Sequence, residues 1–132
     1  MPKPDLRELA AIFAGGTVGA VLRVELSNAF PTTAGRWPWI VFLINVTGAF
    51  ILGYAVTRLQ ERLPLSTYRR PLIGTGFCGA FTTFSTLQLE LLKMIDADRY
   101  GLAAGYAAGS IAAGYVAVFL ATALVRRVRV IV

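Results

Sequence analysis

Charged residues divide this sequence into four long uncharged stretches. They hold 14, 21, 19 and 26 residues and cover 9–22, 37–57, 71–89 and 100–125. An α-helix needs about 20 apolar residues to cross a bilayer. The last three stretches are long enough to span. The first, of 14 residues, can span if the side chain of Glu8 or Arg23 extends to the membrane interface, or if Arg23 faces water inside a vestibule. The pattern predicts an all-α membrane protein whose four transmembrane helices cover approximately 6–24, 37–58, 69–92 and 100–125.

Composition supports this reading over a soluble one. Of 132 residues, 56% are hydrophobic and only 15% are charged, whereas soluble domains carry ~25% charged residues. We therefore expect residues 1–132 to form one transmembrane domain. With no His and only one Cys, Cys78, the chain cannot build a His or Cys metal cage, a Cys-His nucleophile pair or an internal disulfide. We do not expect an enzyme.

The first stretch also has features of a signal peptide, since Lys3 and Arg7 precede a short apolar run. Cleavage would leave three spans. Gly15, Gly16 and Gly19 interrupt that run, which is more typical of a packed helix. Gly15 and Gly19, four residues apart, predict a face where helices approach closely, and Gly101, Gly105, Gly109 and Ala113 predict the same on the fourth span.

A net charge of +6 is compatible with nucleic acid or with phospholipid headgroups. Because the basic residues bracket apolar spans, we expect the partner to be the lipid bilayer and not nucleic acid. Nine Lys and Arg lie on the side of the two termini and the second loop, against four on the other side. The four on the other side are Arg23, Arg36, Lys93 and Arg99. By the positive-inside rule both termini are expected in the cytoplasm. The protein itself is expected in the cell (inner) membrane.

Polar residues are densest in the third span, in the run from Gly74 to Thr86. Glycine and β-branched Thr lower helix propensity, and hydroxyls compete for backbone carbonyls, so we expect a break between Gly79 and Thr83. Freed backbone groups at membrane depth can form an ion site. The alternative is a kinked helix whose hydroxyls bond their own backbone.

Other in-membrane polar residues include Asn45, which is either interhelical glue or an amide donor facing a pore. On the fourth span, Tyr106 and Ser110 lie four residues apart, so their hydroxyls can form a ladder. None of the four uncharged stretches contains a carboxylate, and Glu90 lies at a span end. Hydroxyl, amide and backbone donors suit an anion better than a cation or a proton.

The run Gly76-Phe77-Cys78-Gly79-Ala80-Phe81-Thr82-Thr83-Phe84-Ser85-Thr86 closely resembles that of the Fluc (CrcB) family of small fluoride channels. The resemblance extends to the run from Gly15 to Arg23, the Trp37-Pro38 pair, Asn45 followed by Gly48, and the Gly-Tyr-rich fourth span. It implies a fluoride-selective channel that exports fluoride passively and lowers its cytoplasmic level. The small proton-coupled multidrug transporters share the length and four helices, and a membrane scaffold without transport is a third alternative.

The family resemblance also implies an antiparallel dimer, in which two identical copies insert in opposite directions and form two pores. A structural sodium ion, which is not transported, is implied at the centre, held by the backbone carbonyls of Gly79 and Thr82. The nine-to-four charge count is a tension with dual topology, because a protein inserting both ways should be nearly balanced. Pairing of a fixed-topology chain with an oppositely oriented paralogue stays open.

The family's pore residues correspond here to a set of polar and aromatic positions, with Arg23 at the vestibule. They are Asn45, Thr83, Phe84, Ser85, Tyr106 and Ser110. The family usually has a second pore phenylalanine three residues after the first, where this chain has Leu87. Because leucine lacks the electropositive ring edge of phenylalanine, fluoride affinity or conduction is in question at that step.

Overall fold

The computed structural model describes residues 3–33, 36–61, 68 and 71–131, and every regular element in these ranges is helical. The elements are α1 (Leu6–Ala29), α2 (Trp39–Glu61), a π-helix (Pro71–Cys78), α3 (Gly79–Phe81), α4 (Phe84–Asp96) and α5 (Tyr100–Ile131). The all-helical prediction is confirmed. Arg62, Arg69 and Arg70 of the second loop, and with them the start of the predicted span 69–92, lie outside the described residues.

Three helices in the described part of the chain are long and apolar enough to cross a membrane: Leu6–Ala29, Trp39–Arg58 and Tyr100–Arg127, with mean hydropathies of 1.6, 2.0 and 1.9. Only 11%, 28% and 17% of their most apolar windows are buried within the chain. Large apolar side chains therefore point outward, as Phe13 and Phe119 do at 76% and 62% exposure. This is the character of a membrane protein, in which lipid or a second protein covers such faces.

The helix ends follow from local chemistry. Asp5 caps α1, because its side chain accepts a hydrogen bond of 2.9 Å from the Arg7 amide. The Tyr68 hydroxyl donates to the other Asp5 oxygen at 3.1 Å, which connects the start of α1 to the segment before the π-helix. Between α4 and α5, Asp98 adopts a left-handed φ of 57°, a conformation that Asp tolerates better than most residues.

Close glycine contacts join α1 to the π-helix. Gly15 and Gly19 are buried, and a Cβ on either would strike the backbone carbonyl of Leu72 or Phe77 respectively. From the other side, a Cβ on Gly76 would lie 2.6 Å from the Ile12 carbonyl oxygen. The predicted close approach at Gly15 and Gly19 is confirmed.

A second layer forms where α5 packs on α2 and α4. Thr57 and Thr122 share a hydrogen bond of 3.3 Å across α2 and α5. The glycine seam predicted on α5 is only partly present. A Cβ on Gly109 would lie 3.1 Å from Trp37 Cη2. Gly101 and Gly105 are exposed, and a Cβ on either would meet no atom of the described residues within 4 Å, so for them a close helix contact stays a prediction.

Candidate functional site

The helical run that begins at Pro71 stops after Phe81, and two extended residues precede α4. Thr82 has φ −77° and ψ 156°, and Thr83 has φ −147° and ψ 117°. Thr83 is also the N-cap of α4, since its Oγ1 accepts from the Thr86 amide at 3.1 Å. The Thr82 amide still donates to the Cys78 carbonyl at 3.0 Å, as in a helix, and its hydroxyl donates to the same carbonyl at 2.8 Å. The helical hydrogen-bond pattern therefore ends at Thr83.

Asn45 on α2 holds the junction in place. Its Oδ1 accepts from the Thr83 amide at 2.8 Å, and its Nδ2 donates to the Thr83 carbonyl at 3.1 Å. Gly48, one turn along α2, allows this approach, because a Cβ there would strike the Thr82 methyl group. Asn45 thus joins two helices, and its amide nitrogen keeps a second N–H for another acceptor.

In a continuous α-helix each backbone amide donates to the carbonyl four residues earlier. Two amides at this junction donate to side-chain oxygens instead. The Thr83 amide would serve the Gly79 carbonyl, but it donates to Asn45 instead. The Thr86 amide would serve the Thr82 carbonyl, but it donates to Thr83 Oγ1. The carbonyls of Gly79 and Thr82 are thereby released from those helical partners.

Arg23 lies close to the same junction. Its Nε donates to the Ala80 carbonyl at 3.0 Å, at the carboxyl-terminal end of the interrupted helix, where backbone carbonyls carry partial negative charge. The side chain is half-buried, and no carboxylate in the described ranges lies within ion-pair distance of it. A cation is therefore fixed beside the break.

A cavity of about 360 Å³ opens against the junction. It is lined by Asn45, Gly48, Ala49, Leu52, Gly74, Cys78, Gly79, Thr82, Thr83, Phe84 and Leu87. Phe84 is 70% exposed on the isolated chain, although it lines the cavity. Next to the cavity, Thr83 Oγ1 lies 3.2 Å from Ser85 Oγ and donates to Thr86 Oγ1 at 3.1 Å, so three hydroxyls form a continuous group.

Tyr106 and Ser110 lie on α5, away from the lining of this cavity. Tyr106 is fully buried in a cluster with Met94 and Ala103, and its hydroxyl and that of Ser110 have no hydrogen-bond partner in the described protein. Leu87 packs against this cluster and also lines the cavity. It therefore separates the junction from the buried hydroxyls.

No group of three or more His, Cys, Asp or Glu that could hold a metal ion occurs in the described ranges. Any cation at the junction would have to use neutral oxygen ligands. Gly79 and Thr82, whose carbonyls are released, both line the cavity, and carbonyl oxygens suit a hard cation.

Comparison with protein families decides what the chain is. Residues 10–122 match the family model described as CrcB-like protein, Camphor Resistance (CrcB). The chain belongs to the CrcB family. The resemblance inferred from the run between Gly76 and Thr86 is confirmed.

Relatives of this CrcB chain include three proteins that are named as fluoride-specific ion channels. FluC 1 of Mycobacterium bovis is 58% identical over 130 residues, which are 98% of each chain. FluC 2 of Nocardia farcinica is 38% identical over 126 residues, 96% of this chain and 90% of the relative. FluC 1 of Halobacterium salinarum is 39% identical over 117 residues, 86% and 90% of the two.

In this CrcB chain the predicted site residues fall into two groups. Asn45, Gly79, Thr82, Thr83 and Phe84 meet at the cavity, with Ser85 and Arg23 bonded beside it. Tyr106 and Ser110 form a separate, buried group. Their roles in a pore stay predictions.

Trp37 opens the second uncharged stretch, which by itself predicts only an anchor at a span end. In the structure its indole nitrogen is buried without a partner in the described residues, and its ring packs edge-on against Tyr106, with centroids 5.2 Å apart. Glu90 was likewise placed at a span end. It is 8% exposed and pairs with Lys93 at 3.7 Å. The sequence contains a signal for both residues, because each has a polar group in its side chain and lies at the end of an uncharged stretch. Position at the end of a stretch does not show whether a side chain anchors the helix at the interface or is buried.

Proposed function

We propose that this CrcB chain is a fluoride-selective channel of the cell (inner) membrane that exports fluoride passively and lowers its cytoplasmic concentration. The junction between Asn45 and Thr83 carries the proposal. It supplies amide and hydroxyl donors beside a cavity in an otherwise apolar chain. The names of the relatives support the same substrate.

The chemistry fits a small, strongly hydrated anion. Fluoride gives up water only where other donors replace it. Asn45 has a free amide N–H, and Thr83 and Ser85 bring hydroxyls. The edge of the Phe84 ring is electropositive, and the positive charge of Arg23 lies close to the cavity, where we assign it to the vestibule. Tyr106 and Ser110 would continue the path on α5.

For the fold we propose that the π-helix, α3 and α4 together form the third of four spans, broken at Thr82 and Thr83. The packing of Gly15 and Gly19 against the π-helix supports α1 as a retained span and not a cleaved leader. Two copies would pair in opposite orientations to give two pores. Exposed Phe84 beside the cavity and the largely unburied spans support a partner that completes the site.

We further propose that a sodium ion has a structural role at the centre of that dimer and is not transported. The carbonyls of Gly79 and Thr82 would hold it, and their release by Asn45 and by the Thr83 cap supports this choice. Two carbonyls from each copy would surround the ion with neutral oxygens. Its charge would make the neighbouring paths more favourable to an anion.

Purified protein in liposomes tests the function. Vesicles loaded with equal concentrations of potassium fluoride and potassium chloride should release fluoride after valinomycin is added, and chloride should stay inside. An ion-selective electrode for each anion reads both. Release of both anions at the same rate, or of neither, would contradict the proposal.

The variant Leu87→Phe belongs in the same assay. Leu87 lines the cavity and packs toward Tyr106, so a phenyl group there would place an electropositive edge between the two groups of predicted pore residues. We expect faster fluoride release than in the parent at low fluoride. Equal rates would show that this position does not limit the path.

A further inference from the structure

Three buried side-chain polar atoms in the described part of the chain lack a hydrogen-bond partner. They are Trp37 Nε1, Tyr106 Oη and Ser110 Oγ. Buried polar groups are almost always paired, because an unpaired one loses its bonds to water without replacement. Tyr106 and Ser110 are already assigned to the path by the proposed function. Trp37 is not.

Two of the three groups, Tyr106 and Ser110, lie on one strip of α5, and Trp37 packs against that strip. The Trp37 and Tyr106 rings meet edge-on at 87°, with centroids 5.2 Å apart. A Cβ on Gly109 would lie 3.1 Å from Trp37 Cη2, and Gly109 directly precedes Ser110. Tyr106 and Ser110 are one helical turn apart, on the same face. Trp37 therefore covers the part of α5 that carries both unpartnered hydroxyls.

Aromatic packing orients the Trp37 ring without help from its nitrogen. Phe42 meets it edge-on with centroids 5.3 Å apart, in addition to the contact with Tyr106. The neighbouring Trp39 differs, because it is 63% exposed, as expected of an anchor at the membrane interface. The two rings contact each other, with centroids 5.8 Å apart, and both pack on Phe42. They differ in burial, because the Trp37 nitrogen is buried whereas most of Trp39 is exposed.

The chemistry of the cluster selects its ligand. An indole nitrogen can only donate, and each hydroxyl also has a proton to donate. The hydroxyls of Tyr106 and Ser110 lie one helical turn apart and can each accept as well as donate, but the Trp37 N–H only donates and has no acceptor in the described part of the chain. A small anion that accepts hydrogen bonds and donates none would satisfy it. We propose that Trp37 is a fluoride-contacting residue, whose indole N–H donates to the ion as it passes the hydroxyls of Tyr106 and Ser110. This inference rests on the proposed fluoride channel.

Trp37→Phe tests it, with Trp39→Phe as the matched control. Phenylalanine keeps an aromatic ring in contact with Phe42 and Tyr106 but removes the N–H. In the liposome assay at low fluoride we expect about a tenfold slower release for Trp37→Phe, the scale of one hydrogen bond to an ionised acceptor. Trp39→Phe should stay within about twofold of the parent. Equal rates for Trp37→Phe and the parent would overturn the inference.

Thermal unfolding in detergent, measured with chloride and then with fluoride, separates binding from folding. A contact to fluoride predicts that fluoride raises the midpoint of the parent and of Trp39→Phe, and that Trp37→Phe loses most of this shift. A packing role predicts a lower midpoint in both salts with the shift unchanged, which would also overturn the inference. If the parent protein releases no fluoride, the channel proposal fails. The shift of the unfolding midpoint by fluoride still shows whether Trp37 contacts the ion, because it measures binding and not transport.

Discussion

At the scale of single residues, Asn45 connects fold and function. Its amide binds both backbone groups of Thr83, and it lines the cavity where an anion would pass. The two interpretations of Asn45 from the sequence, interhelical glue and pore donor, are therefore compatible. Each of its polar atoms serves the junction, and one N–H remains for a ligand.

We expect Asn45→Ala to destabilise the protein by about 2 kcal/mol, since two hydrogen bonds at about 1 kcal/mol each are lost. Fluoride release should fall as well, because the Thr83 amide returns toward the Gly79 carbonyl. Denaturant unfolding in detergent and the liposome assay measure the two effects. Thr47→Ala is the matched control, as Thr47 lies on the exposed side of the same helix. Equal stability of the two variants would contradict the role given to Asn45.

The sequence indicates polar residues at 45 and 83 but not their pairing. The two positions are 38 residues apart, and nothing local connects a residue on α2 with one amide among several threonines. The weak helix propensity of the run before Phe84 does follow from residue types. The position of the break depends on which amide α2 captures, which is a tertiary contact.

At the scale of elements, glycine contacts explain how α1 and the π-helix become one unit. Gly15 and Gly19 face backbone carbonyls of the π-helix at distances that leave no space for a side chain. π-helices are rare and widen the turn, so this element presents its carbonyls differently from an α-helix. The four-residue spacing predicted a close helix contact. It did not predict a π-helix as the partner, because no residue type specifies one.

Gly19→Ala should therefore reduce stability by about 1–3 kcal/mol or more, because its methyl group would meet the rigid Phe77 carbonyl. Gly16→Ala on the same helix is the control. A Cβ there would lie 3.6 Å from the Gly76 carbonyl oxygen, an ordinary contact, and alanine favours the helix by up to about 1 kcal/mol. Thermal unfolding of both variants measures the difference. An equal loss of stability in Gly19→Ala and Gly16→Ala would contradict the close packing of Gly19 on the π-helix.

Helix ends show where charge patterns mislead. α1 continues to Ala29, beyond the end near residue 24 that was expected from the charge of Arg23. A charge ends a span when it must reach water, but the Arg23 side chain turns inward to the Ala80 carbonyl. A side chain that finds a partner inside the protein does not mark a boundary, and its partner cannot be identified from neighbouring sequence.

At the scale of the whole molecule, one copy leaves most of its apolar surface uncovered. Its three longest spans are mostly unburied, and a Cβ on the exposed Gly101 or Gly105 of α5 would meet nothing within 4 Å in the described part of the chain. Lipid can cover the apolar side chains. Two residues that line the cavity, Phe84 and Gly79, are themselves exposed on the single chain, so a second protein surface is needed to enclose this cavity.

Removing sodium should act at this scale. If Gly79 and Thr82 of two copies hold the ion, replacing sodium by N-methyl-D-glucamine should lower the dimer fraction and slow fluoride release. Light scattering coupled to size exclusion measures the first, and the liposome assay measures the second. Readdition of sodium should restore both. A dimer and a flux that are indifferent to the cation would argue against a structural sodium ion.

The capture of the Thr83 amide by Asn45 also has a consequence for biosynthesis. A lone third segment in lipid would keep its own bonds, since a helix without partners must satisfy each amide internally. Its break can open only after the second helix has docked and offered its amide oxygen. The junction is therefore a late product of assembly, and a chain released before that docking step would hold an uninterrupted helix where the mature protein has the extended residues Thr82 and Thr83.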